Sequence, residues 1–198
     1  MNGFGKIVRA HQMQKFMGAS LIHKHFPLRD GERIVEEVRQ DGTFTAPVHG
    51  VSDEAVTPYL WHLTRQDQAF VWTPVEFVVS DTVPLKVRTF ADALPGKTAF
   101  LRELAEFLTD HEAQNTFGLS MLHRHHVQFD RKTEALLETP GPDDRSLEMR
   151  PVIPAMAGID EWTPTFWNFD IDFEVPTNFC SAHACNPRGH EPRPPSMD

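Results

Sequence analysis

The residues most able to do chemistry are two pairs of histidines, His23-x-His25 and His123-x-His125, lying a hundred positions apart in a chain with 11 histidines and one tyrosine. In an extended strand, side chains alternate between faces, so His23 and His25 are expected on one face and Lys24 on the other, with His123, His125 and Arg124 repeating the pattern. Two imidazoles roughly 7 Å apart on one face can chelate one ion if a third donor approaches from a neighbouring strand. His62 is the best third donor. The expected metal ligands are therefore His23, His25 and His62, holding a divalent ion such as zinc or iron with one position left for water or substrate. His49 and Glu76 stand in reserve, and His126 is expected to face away. The counterpart of His62 in the second half is Asn168, a poor ligand, so the halves are expected to have diverged.

A second chemistry needs no metal. One histidine from each pair, His23 or His25 with His123 or His125, would share a central cleft as general acid and base on a phosphate or carboxylate substrate, aided by Lys24 or Arg124. Against both enzyme readings stands a binding or scaffold protein in which the imidazoles only satisfy the sheet. Cys180-x-x-His183-x-Cys185, with His190 beyond it, has donors suited to zinc, but no second knuckle completes it. The two cysteines are expected as thiols or ligands rather than as a disulfide framework.

These pairs sit inside a longer internal likeness. Gly18, Ser20, His23 and His25 fall on Gly118, Ser120, His123 and His125, and His11 falls on His111. With small gaps, Glu32 and Ile34-Val35-Glu36 meet Glu134 and Leu136-Leu137-Glu138, Thr57-Pro58 and Trp61 meet Thr163-Pro164 and Trp167, and Pro74 and Phe77 meet Pro176 and Phe179. Constant order with gaps only at loops points to a tandem duplication. Gly18 and Gly118 are expected at a helix-to-strand turn, Trp61 and Trp167 in the core, and Glu32 and Glu134 as solvated charges at strand ends.

Each half carries the same local signals. Residues 97–112 show a helical stripe of Phe100, Leu101, Leu104, Phe107 and Leu108, with a weaker helix at about 5–17. Short apolar runs follow, separated by Asp-Gly and similar turns: SLIHKHFPL, ERIVEEVR, TFTAPVHG, TPYLWHL and AFVWTPVEFVV, then their second-half equivalents. The expected fold is α+β: two pseudo-twofold-related repeats, each a helix followed by an antiparallel β-meander of about five strands, packed as one body. The boundaries are 1–80 for the first repeat, 81–96 for a connector, 97–185 for the second repeat and 186–198 for a loose Pro-rich tail.

The motif SLIHKHFPL-x-x-GE, and less closely SMLHRHH, resembles that of a family of uncharacterised proteins reading LLHRHF followed by a Gly-Glu pair. The resemblance covers the histidine segment and the hairpin after it, and it implies no activity. Cupins also place His-x-His on a barrel strand, but with a glutamate three or four residues on, whereas Glu32 lies seven after His25. Duplicated phosphoesterases share the length and pseudo-twofold, yet their motif has Ser or Thr where both halves here have histidine.

Composition narrows the partners. A net charge of −9 disfavours nucleic acid and anionic membranes, both of which need a basic face. No apolar run approaches the roughly 20 residues of a membrane helix, and the first residues lack the apolar stretch of a secretory signal, so the chain is expected to be cytoplasmic and to take a small-molecule ligand.

Overall fold

The computed structural model describes residues 1–23, 26–67, 69–124, 127–130, 133–142, 145–153, 162–170 and 176–181. Among the described residues ten strands close into a barrel, with three α-helices against it. They are α1 (Asn2–Ala10), β1 (Met17–Leu21), β2 (Glu32–Arg39), β3 (Gly42–His49), β4 (Val56–Gln66), β5 (Ala69–Val79), α2 (Leu85–Ala93), α3 (Thr98–Asp110), β6 (Phe117–Met121), β7 (Ala135–Pro140), β8 (Leu147–Val152), β9 (Trp162–Asn168) and β10 (Pro176–Ser181). Around the barrel the order is β1-β6-β4-β5-β2-β3-β8-β7-β10-β9.

This closed barrel overturns the expected α+β arrangement of two antiparallel meanders. Strand β1 leaves its own half and lies between β6 and β9 of the other, while β6 lies between β1 and β4. Strand β5 returns to pair parallel with β2, and β10 does the same with β7, so the sheet is mixed. The local turn signals that mark hairpins carry no information on these long-range pairings. Of the four strand pairs that join the halves, two set matched positions antiparallel to each other: Gly18 opposite Ser120 and Ser20 opposite Gly118, then Thr43 opposite Met149 and Thr45 opposite Leu147. Among the described residues closure leaves no edge strand to cover.

The helices form for local reasons and dock for hydrophobic ones. Helix α3 buries Phe100, Leu104 and Leu108, one per turn on one face, and α1 buries Phe4, Ile7 and Val8. Together with Met17, Ala19, Trp61, Leu63, Leu119 and Met121 they make one core cluster, so α1 and α3 pack over the strands where the halves meet. The expected 81–96 connector contains a helix of its own, α2, whose Val87 and Ala91 join the same cluster. No helix among the described residues is long and apolar enough to cross a membrane.

Both outer helices stop in the same way. Gln12 and Glu112 adopt left-handed backbone (φ 58° and 53°), and the next amides, Met13 and Ala113, each donate to the carbonyl five residues back. Gly18 and Gly118 are therefore not turn residues as expected, but strand residues under a close cross-strand approach. A Cβ on Gly18 would lie 2.5 Å from the Trp167 carbonyl oxygen, and one on Gly118 would lie 2.8 Å from that of Trp61. Gly18→Ala must push β1 off β9, and the expected cost is about 1–3 kcal/mol in denaturant unfolding. Gly96→Ala, with nothing within 4 Å, serves as the near-neutral control.

Candidate functional site

Strand β2 exposes Glu37 and Arg39 and buries Val38, and two residues before Val38, on the same face, Glu36 is fully buried. Its partners come from across the barrel. Strand β6 ends at Met121, and the chain beyond it brings His123 and Arg124 onto Glu36, three strands away around the wall, so the contact runs through the interior. His123 Nε2 lies 2.7 Å from Glu36 Oε1, and Arg124 grips the same carboxylate through Nε at 3.0 Å to each oxygen and through Nη2. Tyr59 on β4 and Glu76 on β5 stand between, with the Tyr59 hydroxyl donating to Glu76 and the phenol ring 4.1 Å from that of His123.

The matched arrangement lies on the other side. Strand β1 ends at Leu21, and His23 beyond it reaches Glu138 on β7, with Nε2 at 3.4 Å from Oε2. Both side chains are nearly buried, at 8% exposure each. Each histidine thus finds a glutamate from the other half. Each also sets its ring by turning Nδ1 back to a main-chain carbonyl two residues earlier, Leu21 at 2.9 Å and Met121 at 3.0 Å.

The two pairs differ in tightness and in company. A 2.7 Å contact reinforced by a guanidinium is a charge-assisted lock, whereas 3.4 Å exceeds the usual N–H···O range. On β5, Val78 lies beside Glu36, while on β10 Cys180 lies beside Glu138. One ligand atom each of His23, Glu138 and Cys180 lie within 4.8 Å of one another. This is the only such group of three metal-ligating side chains among the described residues. Cys180 is fully buried and, contrary to the expected free thiol, disulfide-bonded.

The electrostatics follow from burial and neighbours. Burial alone would push the Glu36 carboxyl up, but the Arg124 charge and then His123 hold it well below the usual carboxylate range. Burial raises Glu76, against the pull of the Tyr59 hydrogen bond and the His23 charge, with Glu138 adding to the rise. Burial and then the Glu76 and Glu36 charges raise the Tyr59 phenol far above its ordinary value. For His23, burial lowers the pKa, but the hydrogen bond and charge of Glu138 more than offset it, so the ring holds its proton above the ordinary imidazole value. Arg124, desolvated but facing Glu36, is held charged throughout.

Several expectations about position need correction. His23 and His123 lie past the ends of their strands, so strand alternation does not set their directions. Arg124, expected on the face opposite His123, converges with it on one carboxylate. His62 Nε2 lies 3.0 Å from the Gln114 carbonyl oxygen in the turn between α3 and β6 and is not brought to the His23 group. Lys24, His25, His125, His126, His183, Cys185 and His190 lie outside the described residues. Trp61 is buried in the core as expected. The residues that sequence reasoning passed over are Glu36, Glu138 and Tyr59. The sequence marks Glu36 and Glu138 only as matched positions of the two halves, each following two apolar residues, Ile34-Val35 and Leu136-Leu137.

Glu32 and Glu134, expected as solvated strand-end charges, fasten loops instead. Glu134 accepts the Asp130 amide, and Glu32 accepts the Arg29 amide and the Arg145 guanidinium. The Arg145 hydrogen bond, then the Arg29 amide, lower the Glu32 carboxyl to about 2. A carboxyl-resolved NMR titration is expected to find that midpoint, and Arg145→Ala is expected to move it up toward the ordinary glutamate value.

A cavity of about 30 Å³ adjoins His123, Arg124, Asn168 and Asn178. It has room for a water or a small ion. The fold is thus a closed mixed-sheet barrel with an ionised interior. No protein-family model, curated protein or solved structure matches the chain.

Proposed function

We propose that the protein is a small metal-dependent enzyme acting on a small molecule, with its ion held by His23 and Glu138 inside the barrel. The observation that carries this reading is the setting of His23. Its Nδ1 is tied to the Leu21 carbonyl, which fixes the ring and leaves Nε2 as the donor, facing a carboxylate at 3.4 Å. Metal-bound histidines characteristically give their second nitrogen to such an oxygen. Two ligands on a tetrahedral zinc lie about 3.3–3.6 Å apart, given bonds of about 2.0–2.3 Å, so the pair is close to the spacing an ion needs. The set originally expected, His23, His25 and His62, gives way here to His23 with Glu138. A divalent ion there would supply a Lewis acid, with zinc or iron the fitting metals.

On this reading His123, Arg124 and Glu36 form the strut that holds the opposite side of the interior. The matched arrangements support treating the halves as tandem copies, one kept for structure and one for chemistry. We also infer kinship with proteins carrying the LLHRHF-type motif, and a cytoplasmic protein that takes neither nucleic acid nor membrane as partner, consistent with the acidic charge.

Untagged protein, kept reduced and titrated with zinc chloride in a calorimeter, is expected to bind about one equivalent and to melt at a higher temperature. Absence of heat and an unchanged melting curve would remove the metal. One observation favours a second reading, the metal-free acid and base: each half supplies one interior histidine, His23 and His123, paired with a glutamate of the other. It requires phosphate or acetate to shift the ring resonances of both, which the metal reading does not.

A further inference from the structure

We propose that the redox state of Cys180 decides whether this site holds its ion: the Cys180 thiolate is the third ligand, and the disulfide removes it. The inference rests on the reading of His23 and Glu138 as a metal pair. Three observations lead to it.

First, Cys180 stands beside Glu138 in the parallel register of β10 on β7, and its sulfur lies within 4.8 Å of the ligand atoms of Glu138 and His23. Imidazole, carboxylate and thiolate together make a donor set suited to zinc. Second, the sulfur is present only where the histidine–glutamate contact is long. The place matching Cys180 is Val78, beside Glu36, and there the pair is closed at 2.7 Å and held by Arg124, with no soft donor in the register. Third, Cys180 is disulfide-bonded and completely buried, in a sequence whose other cysteine is Cys185. A disulfide sulfur carries no thiolate charge, and the thiolate is the ligand. In a reducing compartment such a bridge is more often a sensor or switch than a staple.

The chemistry balances with an external dithiol as reductant. Its two thiols deliver two electrons and two protons to the Cys180 disulfide, the S–S bond breaks, the protein gains two thiols and the reductant closes its own disulfide. Zinc then takes Cys180 as thiolate while its proton passes to solvent. In reverse, a disulfide oxidant takes two electrons from the two protein sulfurs, with one proton from the second thiol and one from solvent; its own S–S bond breaks to two thiols, the protein S–S bond re-forms, and the ion leaves with one ligand lost.

Zinc chloride titrated against a chromophoric chelator, with the untagged full-length chain either treated with a phosphine reductant or oxidised with diamide, tests the switch. The reduced chain is expected to bind at least about 100-fold more tightly than the oxidised one, beyond the 10–100-fold that loss of a second-shell partner brings. Cys185→Ser keeps Cys180 as the sole cysteine and is expected to bind like reduced wild type with or without diamide. Cobalt(II) on that variant is expected to show sulfur-to-metal charge-transfer absorption, absent in Cys180→Ser. Equal zinc affinity in both redox states, lost in His23→Ala, would overturn the switch and leave the metal pair standing. Zinc binding in neither state would overturn both. Binding that follows His183→Ala and ignores His23→Ala would place the thiolate's ion in the tail and overturn the proposal.

Discussion

Replacing Glu36 by glutamine is expected to cost about 3–5 kcal/mol of folding stability, the loss typical when one partner of a buried ion pair is removed and the others stay. Glu36 is fully buried, takes a hydrogen bond from His123 and three from Arg124, and ties β2 to the chain after β6 across the barrel. Without its charge, the Arg124 guanidinium is left in the interior with its carboxylate gone. Urea unfolding at neutral pH reads the loss. The same substitution at Glu138, whose histidine contact is 3.4 Å, is expected to cost clearly less. Equal losses at the two positions would contradict the division between strut and site.

The pH dependence carries a definite sign. The Glu36 carboxyl lies well below its ordinary value in the fold, so its contribution is fully present above the unfolded carboxylate pKa and is lost as pH falls through the folded one. The advantage of wild type over Glu36→Gln is therefore expected to hold at neutral pH and to narrow progressively below about pH 5. Glu76, raised by burial, acts in the opposite direction, so the difference between the two proteins, rather than either curve alone, isolates Glu36. A constant difference down to strongly acid pH would mean that the pairing is not ionic.

The second large effect is on metal affinity. His23→Ala is expected to weaken zinc binding by the reduced chain at least about 100-fold, more than any second-shell loss. Glu138→Gln is expected to weaken it as well. His62→Ala, whose ring is bonded to the Gln114 carbonyl, is expected to leave affinity within about threefold of wild type, the scatter of indirect effects. Zinc affinities from chelator competition, on variants shown to be folded, decide the matter. A large loss at His62 would restore the ligand set expected from spacing alone.

What the sequence shows, and what it conceals, follows from the range of the interactions. The apolar stripe of α3 and the turns that bound each strand are local, and they lead directly to helix and strand positions. The pairing of β1 with β6 and β9, and the parallel return of β5 to β2, depend on contacts between distant segments that no turn residue specifies. That is why closure into one barrel was not legible. His23 and His123 were found because their repetition is conspicuous, but their directions were misjudged, since the rule of alternation stops where the strand does. Their partners were hidden by sequence distance, 115 residues from His23 to Glu138 and 87 from Glu36 to His123. The only trace in the sequence was that the two glutamates stand at matched places, each after two apolar residues.

The most direct test is anomalous diffraction at the zinc edge from crystals of the reduced chain grown with zinc chloride. One strong peak is expected inside the barrel, at bonding distance, about 2.0–2.2 Å, from both His23 Nε2 and a Glu138 oxygen. A peak confined to the tail or the outer surface, with His23 still hydrogen-bonded to Glu138, would contradict it.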